Sequence, residues 1–181
     1  MIDDPAEPGG YDDEWVVVLD DWVDGTGRTP DDVARELGMS TPPGDPAPPG
    51  TGGMGAMMDH GSMGGMMGGE SMRSDLLGGA GDVNYPYYLL NGRTPRGSGD
   101  PDCAPGRRVR IRLVNAASDT AFRVGLGGHA MTVTHSDGFP PVTPVDTDAV
   151  LIGMGERFDV LVTLADGGVF PLYAAAEGKP G

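Results

Sequence analysis

The heptapeptide Arg108-Val109-Arg110-Ile111-Arg112-Leu113-Val114 constrains the fold more than any other part of the chain. Its apolar and basic residues alternate with period two, the period of a strand with one face on a core. Val109, Ile111 and Leu113 are expected to point inward. The three arginines are expected to point outward, where solvated pairing with acids is their ordinary role. Further short runs follow: Phe122, Val124 and Leu126 alternate, then His129–His135, Ala149–Ile152, Arg157–Leu164 and Val169–Ala174. Upstream, Tyr87–Leu90 is closed by Asn91-Gly92, a strong hairpin signal, and Asp137-Gly138 ends another run. Many short strands between tight turns predict an all-β sandwich or barrel. Because no helices alternate with these strands, the sheets are expected to be antiparallel.

Two elements precede this region. Trp15-Val16-Val17-Val18-Leu19 reads as a buried strand ended by Asp20-Asp21-Trp22. One short helix follows. Thr29 suits the N-cap, Pro30 the first helical position, and Asp31 and Asp32 the positive end of the helix dipole. Val33 and Leu37 share one face, and Gly38 is a plausible stop.

Residues 41–81 differ in kind. They hold 13 Gly, 5 Pro and 7 Met, and no Val, Ile, Phe, Tyr or Trp. Such a stretch cannot bury enough apolar surface to offset its backbone entropy, so a disordered Gly/Met-rich insert is expected. Met54, Met57, Met58, His60, Met63, Met66, Met67 and Met72 are its candidate metal ligands. Thioether sulfur is soft and selects Cu(I) over hard cations. The competing reading is a linker whose methionines are incidental.

Other ligand types are sparse. A blue-copper centre needs one Cys and two His to converge. Cys103 is the single cysteine, sits in a Pro/Gly loop, and has no neighbouring His in sequence. A free thiol, or a partner for a cysteine outside the chain, is expected. His129 and His135 lie about 20 Å apart along one strand and cannot chelate one ion together. His129 and Met131, about 7 Å apart, can in principle share one, but ordinary strand-end packing is the simpler reading of both histidines. Nothing in the sequence groups a Ser/His/Asp nucleophile. Gly125-Leu126-Gly127-Gly128 lacks the following helix of a dinucleotide site. The 181 residues carry 27 acidic and 12 basic side chains, a net charge of −15, which disfavours nucleic acid and anionic membrane surfaces. No apolar run is long enough to span a bilayer, and the first residues lack the pattern of a signal peptide.

Several segments resemble the middle domain of three-domain multicopper oxidases. These are Trp15–Trp22, Asn84–Arg93, Arg108–Ser118, His129–Pro140 and Gly155–Val160, in that order. The resemblance covers nearly everything except residues 39–81. It implies a cupredoxin-like Greek-key β-sandwich with a disordered Gly/Met-rich insert and one short helix. It also implies a laccase-like or copper-resistance-like parent enzyme with copper cofactors, oxidising cuprous ion or phenols at a mononuclear copper. A trinuclear cluster in that parent reduces dioxygen to water, and such enzymes are usually periplasmic or extracellular. The family's His-x-His and His-Cys-His ligand motifs belong to its first and third domains. This sequence has neither, so no cluster ligand carries over to it.

The division this implies is residues 1–14 as the tail of a preceding domain or linker, 15–38 as the start of the cupredoxin-like domain, 39–82 as the insert, and 83–181 as the remainder. The chain is expected to be a fragment or partial gene product whose partners are flanking cupredoxin domains and copper ions. The alternative is a stand-alone copper-binding or buffering module without catalysis.

Overall fold

The computed structural model describes residues 10–37, 74–77, 79–95 and 101–179. Among the described residues, nine strands and one helix run in the order β1 (Asp13–Trp22), α1 (Pro30–Glu36), β2 (Tyr87–Leu90), β3 (Arg108–Asn115), β4 (Phe122–Leu126), β5 (Met131–Ser136), β6 (Val145–Thr147), β7 (Val150–Ile152), β8 (Arg157–Thr163) and β9 (Leu172–Ala176). They form a six-stranded sheet, β2-β1-β3-β8-β5-β6, and a three-stranded sheet, β7-β4-β9. The alternating residues Val109, Ile111 and Leu113 of β3 are all 1% exposed or less and meet Phe122, Val124, Leu126 and Ile152 of the second sheet. The all-β expectation with one short helix holds.

The expected antiparallel sheets do not hold throughout. β1 and β3 pair in parallel, from Asp13↔Val109 to Leu19↔Asn115. A parallel pair needs only a connection long enough to bring the chain back in the same direction, and a run of helices is not required. Here α1, the chain after it and β2 make that return. β1 is also less buried than its apolar run suggests. Val17, Leu19 and Asp21 face inward, while Val16 and Trp22 are 44% and 45% exposed. The strand covers the core with one face only, and it continues through Asp20-Asp21-Trp22 instead of ending there.

Local chemistry sets the remaining boundaries. α1 starts as its sequence predicts. The Thr29 hydroxyl accepts from Asp32 N–H, and the Asp32 carboxylate accepts from Thr29 N–H, which closes a capping box. Asn91 and Gly92 adopt φ of 51° and 74°, the pair of positive values a type I′ hairpin turn requires. The Asn91 side chain then accepts from Val18 N–H at 2.8 Å and donates to Val16 C=O at 3.1 Å. It thus continues the β1 ladder past the end of β2. The last strand begins at Leu172, later than the apolar run predicts, and β6 is a short strand with no sequence expectation.

Candidate functional site

The eight candidate ligands Met54, Met57, Met58, His60, Met63, Met66, Met67 and Met72 lie outside the described residues. So do Gly38 and the body of the expected insert. What the structure places is the frame around them.

Cys103, His129 and His135 are each held by their own neighbours. The Cys103 thiol donates to Asp13 Oδ2 at 3.3 Å and packs against the core edge. Burial, then the Asp13 carboxylate, pushes its pKa above the ordinary thiol value. His129 does not lie within a strand, because β5 begins only at Met131. Its backbone N–H donates to Leu126 C=O in a tight turn, Nδ1 lies 3.0 Å from Gly127 C=O, and its ring meets Phe170 edge-on at 4.4 Å. His135 sits just past a bulge in the β5–β8 pairing. Its Nδ1 lies 3.2 Å from Thr134 Oγ1 and 3.9 Å from the Asp159 carboxylate. Met131 is 1% exposed and belongs to the core. Among the described residues, no three His, Cys, Asp or Glu side chains come close enough to hold a metal ion. This donor set does not fit a blue-copper centre.

Two buried polar arrangements were not visible in the sequence. The first lies on the outer face of the large sheet. Arg110 and Arg112 were expected in solvent, yet they are 4% and 5% exposed. Arg110 pairs with Asp159 of β8 and lies 5.4 Å from the Tyr11 ring, and Arg112 Nη2 lies 2.7 Å from Glu14 Oε2. The expected acid pairing is present, but it is desolvated. Only Arg108 keeps the solvent-exposed position.

The second arrangement joins four distant segments. Asp21, 4% exposed, accepts from Ser118 N–H, Asp119 N–H and the Thr120 hydroxyl at 2.7–3.0 Å. The Thr120 hydroxyl also accepts from Lys179 Nζ at 3.1 Å. Lys179 further donates at 2.9 Å to Val83 C=O, Asp119 C=O and Asp119 Oδ2. Asp119 Oδ2 also accepts from Val83 N–H at 2.9 Å. A fully buried ammonium is tolerable only with such a set of acceptors. Period-two counting from Val17 and Leu19 puts Asp21 on the core face, which was the available signal. Nothing local marks Lys179.

These contacts fix the chain on both sides of residues 38–73. Arg28 donates to Asn84 C=O at 3.1 Å, beside a shallow pocket lined by Val33, Leu37 and Val83. Ser74 donates to Glu177 at 2.8 Å and accepts from the N–H groups of Leu76 and Leu77. Among the described residues, no helix is long and apolar enough to cross a membrane.

Known proteins resemble this sequence and frame. The chain is 52% identical over 180 residues to the multicopper oxidase MmcO of Mycobacterium tuberculosis, covering 99% of this chain and 32% of that protein. It is 27% identical over 180 residues to copper resistance protein A of Escherichia coli, covering 97% of this chain and 29% of that protein. The chain thus spans about a third of the length of these relatives. The crystal structure of Fet3p, a multicopper oxidase that functions in iron import, superposes with a TM-score of 0.61 at 19% identity, over 95% of this chain and 25% of that one. The blue copper oxidase of Nitrosomonas europaea gives 0.57 at 23% identity, over 94% and 41%. These likenesses show the cupredoxin-like fold. The family model for multicopper oxidases matches residues 13–180, and the chain belongs to the multicopper oxidase family, whose members use copper.

Proposed function

We propose that this chain is the middle, copper-free cupredoxin-like domain of a longer oxidase. Residues 15–38 and 83–181 form the body of the domain, 39–82 an insert and 1–14 a linker from a preceding domain, with Asp13 and Glu14 already paired in β1 and Ser74 at the insert's end hydrogen-bonded to Glu177. The observation that carries this reading is the separation of Cys103, His129 and His135, each engaged with its own partners instead of converging. In this reading the domain is scaffold, and flanking cupredoxin domains hold the copper centres. The parent enzyme works in the periplasm or outside the cell and couples oxidation of cuprous ion or phenols to dioxygen reduction. The likeness to a copper resistance protein supports cuprous ion as the first substrate to test.

The insert is proposed to recruit that ion through Met54, Met57, Met58, His60, Met63, Met66, Met67 and Met72, soft donors suited to Cu(I). Titration of the 181-residue chain with Cu(I) against a competing chelator tests this. Binding at micromolar free copper that disappears on deletion of 54–72, with the circular dichroism unchanged, is the expected result. No binding removes the recruiting role. The domain assignment is tested separately by the flanking coding sequence. His-x-His motifs upstream and a His-Cys-His cluster downstream are expected, and their absence on both sides overturns it.

A further inference from the structure

Asn91 uses its side chain as a strand uses its backbone. β2 pairs with β1 only from Leu19 to Trp22. Beyond that point Asn91 N–H donates to Val18 C=O at 2.8 Å, Oδ1 accepts from Val18 N–H at 2.8 Å, and Nδ2 donates to Val16 C=O at 3.1 Å. Leu90 and Arg93 close the turn by exchanging backbone hydrogen bonds at 2.8 and 3.1 Å. The carboxamide is therefore committed to β1 through both of its polar atoms.

The same residue is the asparagine best placed for a chemical change. The chain has three asparagines, and Asn91 alone precedes a glycine; Asn84 precedes Tyr85 and Asn115 precedes Ala116. A backbone amide attacks the preceding asparagine side chain most easily when its own residue carries no Cβ. Neighbours do not shield this amide either, since a Cβ at Gly92 would meet nothing within 4 Å. Asn115, in contrast, is 1% exposed and held by Thr120 C=O, Ile152 C=O and Ala117 N–H. In the reaction, Gly92 N bonds to Asn91 Cγ, the Cγ–Nδ2 bond breaks, and Nδ2 leaves as ammonia with the Gly92 amide proton. Water then opens the cyclic imide to aspartate or to isoaspartate, which has one more carbon in its backbone. Nothing is oxidised or reduced.

We propose that Asn91 is a deamidation site controlled by the β1–β2 hairpin. While the hairpin is closed, the carboxamide must leave both Val18 N–H and Val16 C=O to react, which lowers its reactive population about tenfold or more. When the hairpin opens, that restraint is gone and conversion proceeds. The product does not rebuild the contact. An ionised aspartate only accepts, so it has no hydrogen for Val16 C=O and sets a carboxylate oxygen against that carbonyl. Isoaspartate lengthens the backbone of a turn whose two-residue geometry fixes the register of its strands. An opening of this sheet edge that outlasts the reaction thus becomes permanent.

The test incubates the 181-residue chain in mildly alkaline buffer, native and in guanidinium chloride, and follows each asparagine by peptide mass spectrometry. In guanidinium chloride, Asn91 is expected to convert faster than Asn84 and Asn115. In native buffer its conversion should be slower by about tenfold or more. Equal Asn91 rates in the two buffers overturn the control by the hairpin, and faster conversion of Asn84 in denaturant overturns the choice of site. The consequence is read separately by comparing Asn91→Asp with Asn84→Asp, the same change of charge at another exposed position. Asn91→Asp should melt below Asn84→Asp or fail to fold. Equal thermal midpoints overturn the claim that the product cannot restore the contact.

Discussion

Arg110 of β3 and Asp159 of β8 form an ion pair on the sheet face that period-two patterning assigns to solvent, and their side chains keep only 5% and 16% of their exposure. Removing one partner of such a pair costs more than the pair contributes, because the remaining charge stays desolvated. Asp159→Ala is expected to destabilise the chain by about 3 kcal/mol or more. Arg110→Met combined with Asp159→Leu should recover much of that loss. Urea unfolding of the three proteins checks this, and a double variant as unstable as the single one contradicts it.

Asp21 joins β1 to the turn before β4 through three hydrogen bonds. Asp21→Ala leaves two backbone N–H groups and a hydroxyl without their acceptor, at a cost of about 2–4 kcal/mol. Hydrogen exchange at Ser118 and Asp119 should accelerate more than exchange in β8. A uniform acceleration across both regions would argue against a local clasp.

Gly125 of β4 lies directly beneath Tyr173 of β9. A Cβ at this position would sit 2.2 Å from the Tyr173 hydroxyl oxygen and 2.8 Å from Asp148 C=O. Gly125→Ala is expected to cost about 1–3 kcal/mol, the range for overpacking a filled site. Adding Tyr173→Phe should relieve only part of the cost, because the ring carbon Cζ, 2.4 Å from that Cβ, and the Asp148 carbonyl both remain. Thermal melts of the single and double variants decide it.

Glu177 is held below its ordinary carboxyl pKa of 4.5, first by the Ser74 hydroxyl and then by Arg123. A carboxylate with a depressed folded pKa stabilises the fold above the unfolded value, and that contribution fades as pH falls through the lower folded value. The Glu177 contribution is therefore expected in full at neutral pH and lost below about pH 4.5. Ser74→Ala should raise the Glu177 midpoint in a carbon-detected titration. An unmoved midpoint would show that Arg123 alone sets it.

Cys103 carries a thiol pushed up by burial and by Asp13. Since the thiolate is the reactive form, alkylation at pH 8 should run slower than for a cysteine in an unfolded peptide. Asp13→Asn should speed it, with the rate read by mass spectrometry. Equal rates in the two folded proteins would remove the Asp13 contribution.

Most strand positions were legible in the sequence because apolar spacing reports which face meets the core. Val109, Ile111 and Leu113 were placed correctly by that pattern alone. The same pattern failed for Arg110 and Arg112, since period two says which face a residue takes and not whether something covers that face. It was silent on the parallel pairing of β1 with β3, because register across a long connection leaves no local trace. Asp21 shows a third kind of miss. Its acidic neighbours read as a strand end, whereas its core-facing parity marks a buried carboxylate with donors waiting 97 to 99 residues away. The candidate metal ligands were chosen for donor chemistry, which sequence displays directly. Where Cys103, His129 and His135 lie relative to one another required the fold.

The parallel β1–β3 pair also bears on synthesis. β1 leaves the ribosome first, but its neighbour β3 starts only at Arg108. At ordinary translation rates the interval from Trp22 to Arg108 is roughly 4–17 s. Throughout it, Trp15-Val16-Val17-Val18-Leu19 is a β-prone segment without its central partner, the kind of segment that seeds aggregation. Asp12, Asp13 and Glu14 precede it, and Asp20, Asp21 and Asp24 follow. Flanking charges of one sign act as gatekeepers that keep such a strand from pairing with copies of itself. The acidity of this end of the chain thus guards the strand before β3 arrives, and Asp13, Glu14 and Asp21 afterwards find Arg107, Arg112 and Thr120 as their folded partners.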